Sequence, residues 1–130
     1  MLAVDTNIVV RLLTNDEPAQ ARRAAALFGA NDIYIVKSVL LETEWVLRFS
    51  YELDRAAILK GLRGLLGMAK VTAEDSVRVA QALDWYETGM DFADALYLAS
   101  GLRMAKRFGT FDAKLARRAR ALAPVEVVLA

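Results

Sequence analysis

Short runs rich in apolar residues alternate along the chain with longer stretches that mix apolar and polar residues. This alternation predicts strands that alternate with helices. Five short runs are rich in β-branched or aromatic residues or follow a turn signal, and these runs predict strands. The predicted strands cover residues 2–4, 33–36, 70–72, 107–110 and 125–129.

Seven longer stretches place apolar residues three and four positions apart, which is typical of helices with one buried face. Pro18 suits the first position of a helix, Gly29 a helix stop, and Pro124 ends the last helix. The predicted helices cover residues 6–13, 18 to about 28, 38 to about 51, 54 to about 65, 74–87, 91–106 and 112–122.

This order of elements predicts an α/β fold, with a parallel sheet of about four to five strands flanked by helices in a three-layer arrangement. A chain of 130 residues with 56% hydrophobic and 25% charged residues suits one globular domain, residues 1–130. Ligands of such folds bind beyond the carboxyl ends of the strands, so the polar residues at those ends are the candidates for function.

Composition and charge exclude several classes of protein. No apolar run approaches the roughly 18 residues that a membrane helix needs, and the first five residues have no basic segment, so we expect a cytoplasmic protein without a signal peptide. Histidine and cysteine are both absent, which excludes the usual zinc sites, Ser-His-Asp triads and Cys-His dyads. The net charge of +1 by itself gives no argument for nucleic-acid binding.

Acidic residues follow the predicted strands. Asp5 and Asp112 each stand between a strand and a helix, Asp91 and Asp94 open a helix, and Glu42 lies in the second turn of another. Acids gathered at one end of a parallel sheet cannot all stay ionised without a cation. Because the ligands are oxygen atoms only, we expect Mg²⁺ or Mn²⁺, which activates water and neutralises charge on a phosphoryl group.

Ordinary helix capping is the competing interpretation for four of these acids. Asp5, Asp91 and Asp112 each occupy a favoured N-cap position, and Asp94 then completes a capping box with Asp91. Capping leaves Glu42 unexplained.

The helical spacing places Glu42 on an apolar stripe with Trp45 and Phe49, where an unpartnered carboxylate is costly. By contrast, Glu44 precedes Arg48 by four residues and is predicted to form a surface ion pair.

Small polar residues flank the acids. Thr6 and Asn7 follow Asp5, and Thr110 precedes Asp112, so these side chains are candidates for holding a carboxylate or a water in place; ordinary turn chemistry is the alternative for Asn7 and Thr110. A late group of basic residues is either a solvated helix face or a phosphate-binding surface. Its members are Arg103, Lys106, Arg107, Lys114, Arg117, Arg118 and Arg120.

Four short motifs in order carry a family resemblance over nearly the whole chain. They are Val4-Asp5-Thr6-Asn7, residues 39–42 with 45–47 after them, residues 91–96, and Thr110-Phe111-Asp112. This pattern resembles PIN-domain proteins, and most closely the VapC-type toxins of prokaryotic toxin–antitoxin pairs.

The resemblance implies the parallel α/β fold of that family and metal-dependent cleavage of RNA. It implies that Asp5, Glu42, Asp94 and Asp112 form the acidic catalytic quartet, with Asp91 as a further acid. It also implies a homodimer and a cognate antitoxin that covers the site. Two alternatives stay open: a PIN-fold RNA-processing or RNA-binding factor that is not a toxin, and a phospho-acceptor receiver domain.

Overall fold

The computed structural model describes residues 1–130, which contain five strands and seven helices. The chain divides into two compact units, unit 1 (Met1–Ser76) and unit 2 (Val77–Ala130). No helix is both long and apolar enough to cross a lipid bilayer.

Unit 1 is built on a parallel sheet of three short strands. The strands are β1 (Leu2–Ala3), β2 (Ile33–Ile35) and β3 (Val71–Ala73), and β2 lies between the other two. Leu2 is in register with Ile33, and Ile33 with Val71. The helices of this unit are α1 (Thr6–Leu13), α2 (Pro18–Ala30), α3 (Lys37–Phe49) and α4 (Arg55–Leu66).

Helix packing in unit 1 encloses an apolar core. Helix α1 packs against α2 and α3, and α3 packs against α4. Ile33 and Ile35 of β2 are fully buried, as are Val9 of α1 and Ile58 of α4. Because β2 is the central strand and successive side chains point to opposite faces of the sheet, Ile33 and Ile35 share one buried face. The carboxyl end of β2 leads directly into α3.

Unit 2 contains a two-stranded parallel sheet. Strand β4 (Arg107–Thr110) pairs with β5 (Glu126–Leu129), and α7 (Ala113–Leu122) connects them. Helix α5 (Ser76–Glu87) begins at the last residue of unit 1, and α6 (Phe92–Gly101) follows it. The buried rings of Tyr86 and Phe92 meet edge to face with centroids 5.3 Å apart, and this contact anchors the start of α6.

The structure confirms the α/β class, the order of elements and the parallel direction of every strand pair. Two details differ from the prediction. The strands form two sheets of three and two strands rather than one. Helix α6 ends at Gly101, not at Lys106, because the chain turns after it through bonds such as that from the Ala105 N–H to the Gly101 carbonyl.

Candidate active site

Asp5 lies between β1 and α1 and is exposed. Its Oδ1 accepts a hydrogen bond of 3.2 Å from the Ile8 N–H, so the predicted N-cap is confirmed. This contact uses one carboxyl oxygen and orients the side chain without burying it. Thr6, the next residue, is buried, whereas Asn7 is exposed.

The prediction for the two glutamates of α3 was wrong in its assignment of faces. Glu42 is exposed, and its neighbours Trp45 and Phe49 are 54% and 56% exposed, so this stripe does not enter the core. Glu44 is the buried residue, only 1% exposed. Its predicted pairing with Arg48 is confirmed at 3.1 Å between Oε2 and Nε, but the pair is not a surface one.

Burial of Glu44 has a local explanation in the packing of α3. The buried face of this helix carries Leu40, Thr43, Glu44 and Leu47, the face that packs against α1 and α4. The exposure of Glu42 removes the argument that its burial demands a bound cation. Its place in a catalytic site therefore rests on the family resemblance alone.

Asp91 and Asp94 lie at the start of α6 in unit 2. Asp91 caps the helix, because its Oδ2 accepts a hydrogen bond of 3.2 Å from the Asp94 N–H. Burial raises the pKa of the Asp94 carboxyl above its usual value, and the charges of Asp91 and Asp112 raise that pKa further. All three contributions act in the same direction, against the charged form of the Asp94 carboxyl.

Asp112 lies in the turn between β4 and α7. Its Oδ1 accepts a hydrogen bond of 3.0 Å from the Leu115 N–H, and its own N–H donates to Thr110 Oγ1 at 3.0 Å. The predicted capping by Asp112 is confirmed, and Thr110 does hold the backbone of this acid in place. Together, the two contacts hold the Asp112 carboxylate in a defined position from which it can contact a ligand.

The candidate acids divide between the two units. Asp5 and Glu42 belong to unit 1, and Asp91, Asp94 and Asp112 belong to unit 2. Within unit 2, the charges of Asp91 and Asp112 both raise the pKa of Asp94. No group of three or more acidic side chains in the structure is arranged to hold a metal ion. A metal site formed by the quartet therefore stays a prediction.

The chemistry of these residues nevertheless fits a hard divalent cation. The donors are carboxylates, with hydroxyl and amide oxygens beside them, which Mg²⁺ and Mn²⁺ prefer. A cation bound at Asp94 relieves the repulsion from Asp91 and Asp112 that raises its pKa. The donor chemistry of these acids therefore suits such an ion, although no group of three of them is arranged to hold one.

A cleft of about 810 Å³ in unit 1 contains Asp5 and Asn7. Three further residues that line the cleft were not among the candidates predicted from the sequence: Arg11, Gln20 and Arg23. The signal for Arg11 was present, since it is the single charged residue of α1 and the segment follows Asp5 directly.

Arg11 is part of a hydrogen-bonded cluster with Asp16, Gln20 and Tyr51. A hydrogen bond of 2.8 Å from the Tyr51 hydroxyl lowers the pKa of Asp16 below its usual value, with smaller effects from Thr14 and Arg11. The cluster therefore keeps a negative charge beside the Arg11 guanidinium.

The late basic residues are largely exposed. Lys114, Arg117 and Arg120 project from α7, and the Nη2 of Arg120 donates to the Val127 carbonyl at 3.3 Å. The Nε of Arg107 lies 3.7 Å from the Oε1 of Glu126 in an exposed ion pair. These contacts agree with a solvated face and leave phosphate binding by this group a prediction.

Parallel strands followed by acids define the protein as an α/β protein with a carboxylate-rich candidate site. Residues 2–121 match the PIN domain family. The chain belongs to the PIN domain family, whose members are generally metal-dependent nucleases. A comparison with curated proteins found no match. Because the chain belongs to the PIN family, it is not a phospho-acceptor receiver domain.

Proposed function

We propose that the protein is an endoribonuclease that depends on Mg²⁺ or Mn²⁺. In this proposal Asp5, Glu42, Asp94 and Asp112 bind the metal, Glu42 directly or through water, and Asp91 assists them. The observation that carries the proposal is the Asp94 carboxyl, whose pKa is raised by burial and by two neighbouring acids in a chain of the PIN family. The match over residues 2–121 extends across both units, which supports one domain of residues 1–130.

Tasks are proposed for four residues of the chain: Asp5, Glu42, Thr110 and Asp112. The N-cap contacts hold Asp5 and Asp112 at the starts of α1 and α7, and Thr110 fixes the backbone at Asp112. Glu42, which is exposed, or a neighbouring acid orients the attacking water. When bound, the metal lowers the pKa of water and neutralises charge on the scissile phosphodiester.

The test is cleavage of a labelled single-stranded RNA by wild type, Asp5→Asn and Asp94→Asn, with Mg²⁺ or with EDTA. Asp32→Asn is the matched control, because Asp32 is an exposed acid of unit 1 outside the quartet. We expect cleavage by wild type and Asp32→Asn with Mg²⁺ only, and a loss of roughly 100-fold or more in the two other variants. Equal cleavage by all samples overturns the proposal.

Metal binding is tested separately by calorimetric titration with Mn²⁺. If acids of both units bind one site, Asp5→Asn and Asp94→Asn each weaken binding, although they lie in different units. Loss of binding in one variant alone contradicts the proposed quartet.

We further propose that the nuclease is the toxin of a VapBC-type pair, acts in the cytoplasm as a homodimer and is inhibited by a cognate antitoxin. The ordered motifs around Asp5, Glu42, Asp94 and Asp112 support this subtype. Expression is expected to arrest growth, and co-expression of a partner encoded beside it to restore growth. Normal growth of cells that contain active enzyme favours the alternative, a PIN-fold factor that processes or binds RNA.

A further inference from the structure

The cleft in unit 1 combines an apolar wall with basic side chains beside Asp5. Its volume of about 810 Å³ is in the range of small-molecule sites. The apolar wall includes Leu2, Ile8 and Leu27, and two basic side chains, Arg11 and Arg23, reach the same space. Of the acids near them, Asp5 lines the cleft and Asp16 pairs with Arg11, so Arg23 is the basic side chain without an acidic partner there. A nucleotide has the matching composition, an apolar base face joined to an anionic phosphate.

Arg11 is held in a defined orientation within this cleft. Its Nε donates to Gln20 Oε1 at 2.6 Å, and its Nη1 donates to the Tyr51 hydroxyl at 2.9 Å and to Asp16 Oδ1 at 3.4 Å. The partners lie in α2, in the segment before α2 and in the segment after α3, so the guanidinium is held by three parts of the chain. The two N–H groups of its Nη2 take part in none of these bonds.

An oriented guanidinium with unused donors is well suited to a phosphate. Arginine binds phosphate oxygens through paired N–H groups, and a side chain that is already held in place loses less entropy on binding. Arg11 lies six residues after Asp5, which corresponds to roughly 9 Å along a helix axis. A phosphate at Arg11 is therefore close to, but separate from, one at Asp5.

We propose that this cleft binds the RNA strand next to the cleavage point, with a phosphate on Arg11 and Arg23 and the adjoining base against the apolar wall. The inference rests on the proposed function for the identity of the substrate. It assigns substrate binding to Arg11 and Arg23. It makes Tyr51, Asp16 and Gln20 positioning residues that act through Arg11.

Binding is measured by fluorescence anisotropy with a labelled single-stranded RNA oligonucleotide, in the Asp94→Asn background with EDTA, so that no cleavage intervenes. Arg23→Ala is the main variant, because Arg23 is exposed and its replacement leaves the cluster around Arg11 intact. Arg22→Ala is the matched control, since Arg22 is exposed on the same helix but does not line the cleft.

We expect Arg23→Ala and Arg11→Ala each to weaken binding about tenfold, equivalent to about 1.4 kcal/mol. Each lost phosphate contact lowers the slope of log affinity against log salt by about 0.7. Arg22→Ala is expected to leave both quantities near their starting values. Equal losses for Arg22→Ala and Arg23→Ala show general attraction to a basic surface and overturn the proposal.

Tyr51→Phe separates positioning from folding. It removes the hydroxyl that accepts from Arg11 and donates to Asp16, but retains the ring. We expect KM for RNA cleavage to rise about three- to tenfold with kcat unchanged, because only binding is affected. A change in thermal stability without a change in KM assigns the cluster a purely structural role.

The outcomes distinguish this inference from the nuclease proposal. RNA cleavage by wild type with no effect of Arg11→Ala or Arg23→Ala on affinity or KM overturns the inference and leaves the nuclease intact. Binding that depends on Arg11 and Arg23 without cleavage by wild type retains the cleft as an RNA-binding site and overturns the nuclease. A protein that neither cleaves nor binds the oligonucleotide contradicts both.

Discussion

The Thr110 hydroxyl accepts a hydrogen bond of 3.0 Å from the Asp112 N–H. Thr110 is the last residue of β4, and Asp112 is the N-cap of α7, so one bond joins the end of a strand to the start of a helix. Through this contact the strand determines where the Asp112 carboxylate is placed.

Given the proposed role of Asp112 as a metal ligand, Thr110→Val is expected to lower RNA cleavage by roughly 10- to 100-fold, the usual effect of losing a residue that orients such a ligand. The substitution retains the side-chain shape but removes the acceptor. Thr110→Ser restores an acceptor at the same position and is expected to recover most of the activity. Cleavage rates measured at saturating Mg²⁺ test this, and equal activity of the Val and Ser variants contradicts it.

Asp94→Asn is expected to stabilise the protein at neutral pH in the presence of EDTA. The folded-state pKa of Asp94 is raised above 3.8, so its ionisation costs folding free energy that is absent at low pH and fully present above the raised pKa. The stability advantage of the variant should therefore grow as pH rises from about 3 to about 7. Urea unfolding of both proteins across this range measures it; a constant difference contradicts the assignment.

Replacement by glutamine is expected to affect stability at Glu44 and RNA cleavage at Glu42. Glu44→Gln removes the charge of a buried carboxylate that pairs with the partly exposed Arg48, and it should lower the free energy of unfolding by roughly 1–3 kcal/mol. Glu42 is exposed, so Glu42→Gln should change stability by less than about 0.5 kcal/mol while it lowers RNA cleavage. Thermal unfolding and cleavage assays on both variants check these two expectations. A loss of stability in Glu42→Gln refutes the assignment of Glu42 to the exposed face of α3.

Gly89 precedes the acids of α6 and has a backbone φ of +110°. A β-carbon there would lie 3.1 Å from Arg118 Nη1. Gly89→Ala is therefore expected to lower the free energy of unfolding by at least about 1 kcal/mol.

Gly64→Ala is the control, because Gly64 is helical and a β-carbon there meets nothing within 4 Å. It should stabilise the protein by about 0.5–1 kcal/mol. Chemical denaturation measures the free energy of unfolding of both variants; similar changes in the two contradict the special role of the Gly89 backbone.

Local patterns in the sequence predicted the element order and the helix caps at Asp5, Asp91 and Asp112. These features depend on residues within about four positions of one another, because a capping side chain reaches only the first turn of its own helix. The parallel strand direction also follows from the alternation of strands and helices.

The assignment of faces on α3 required the tertiary structure. Apolar residues lie on more than one side of this helix, and the sequence alone predicted that the side with Glu42 and Trp45 is buried. Packing against α1 and α4 instead buries the side with Glu44. Which side enters the core depends on the partners, which are distant in sequence.

The same division applies to function. The sequence by itself identified the acids that follow the strands and the family that they resemble, because strand ends and short motifs are local features. Only the tertiary structure brought Tyr51 to Arg11, 40 residues away, and enclosed the cleft beside Asp5. Such contacts arise from the packing of whole helices, which no short stretch of sequence specifies.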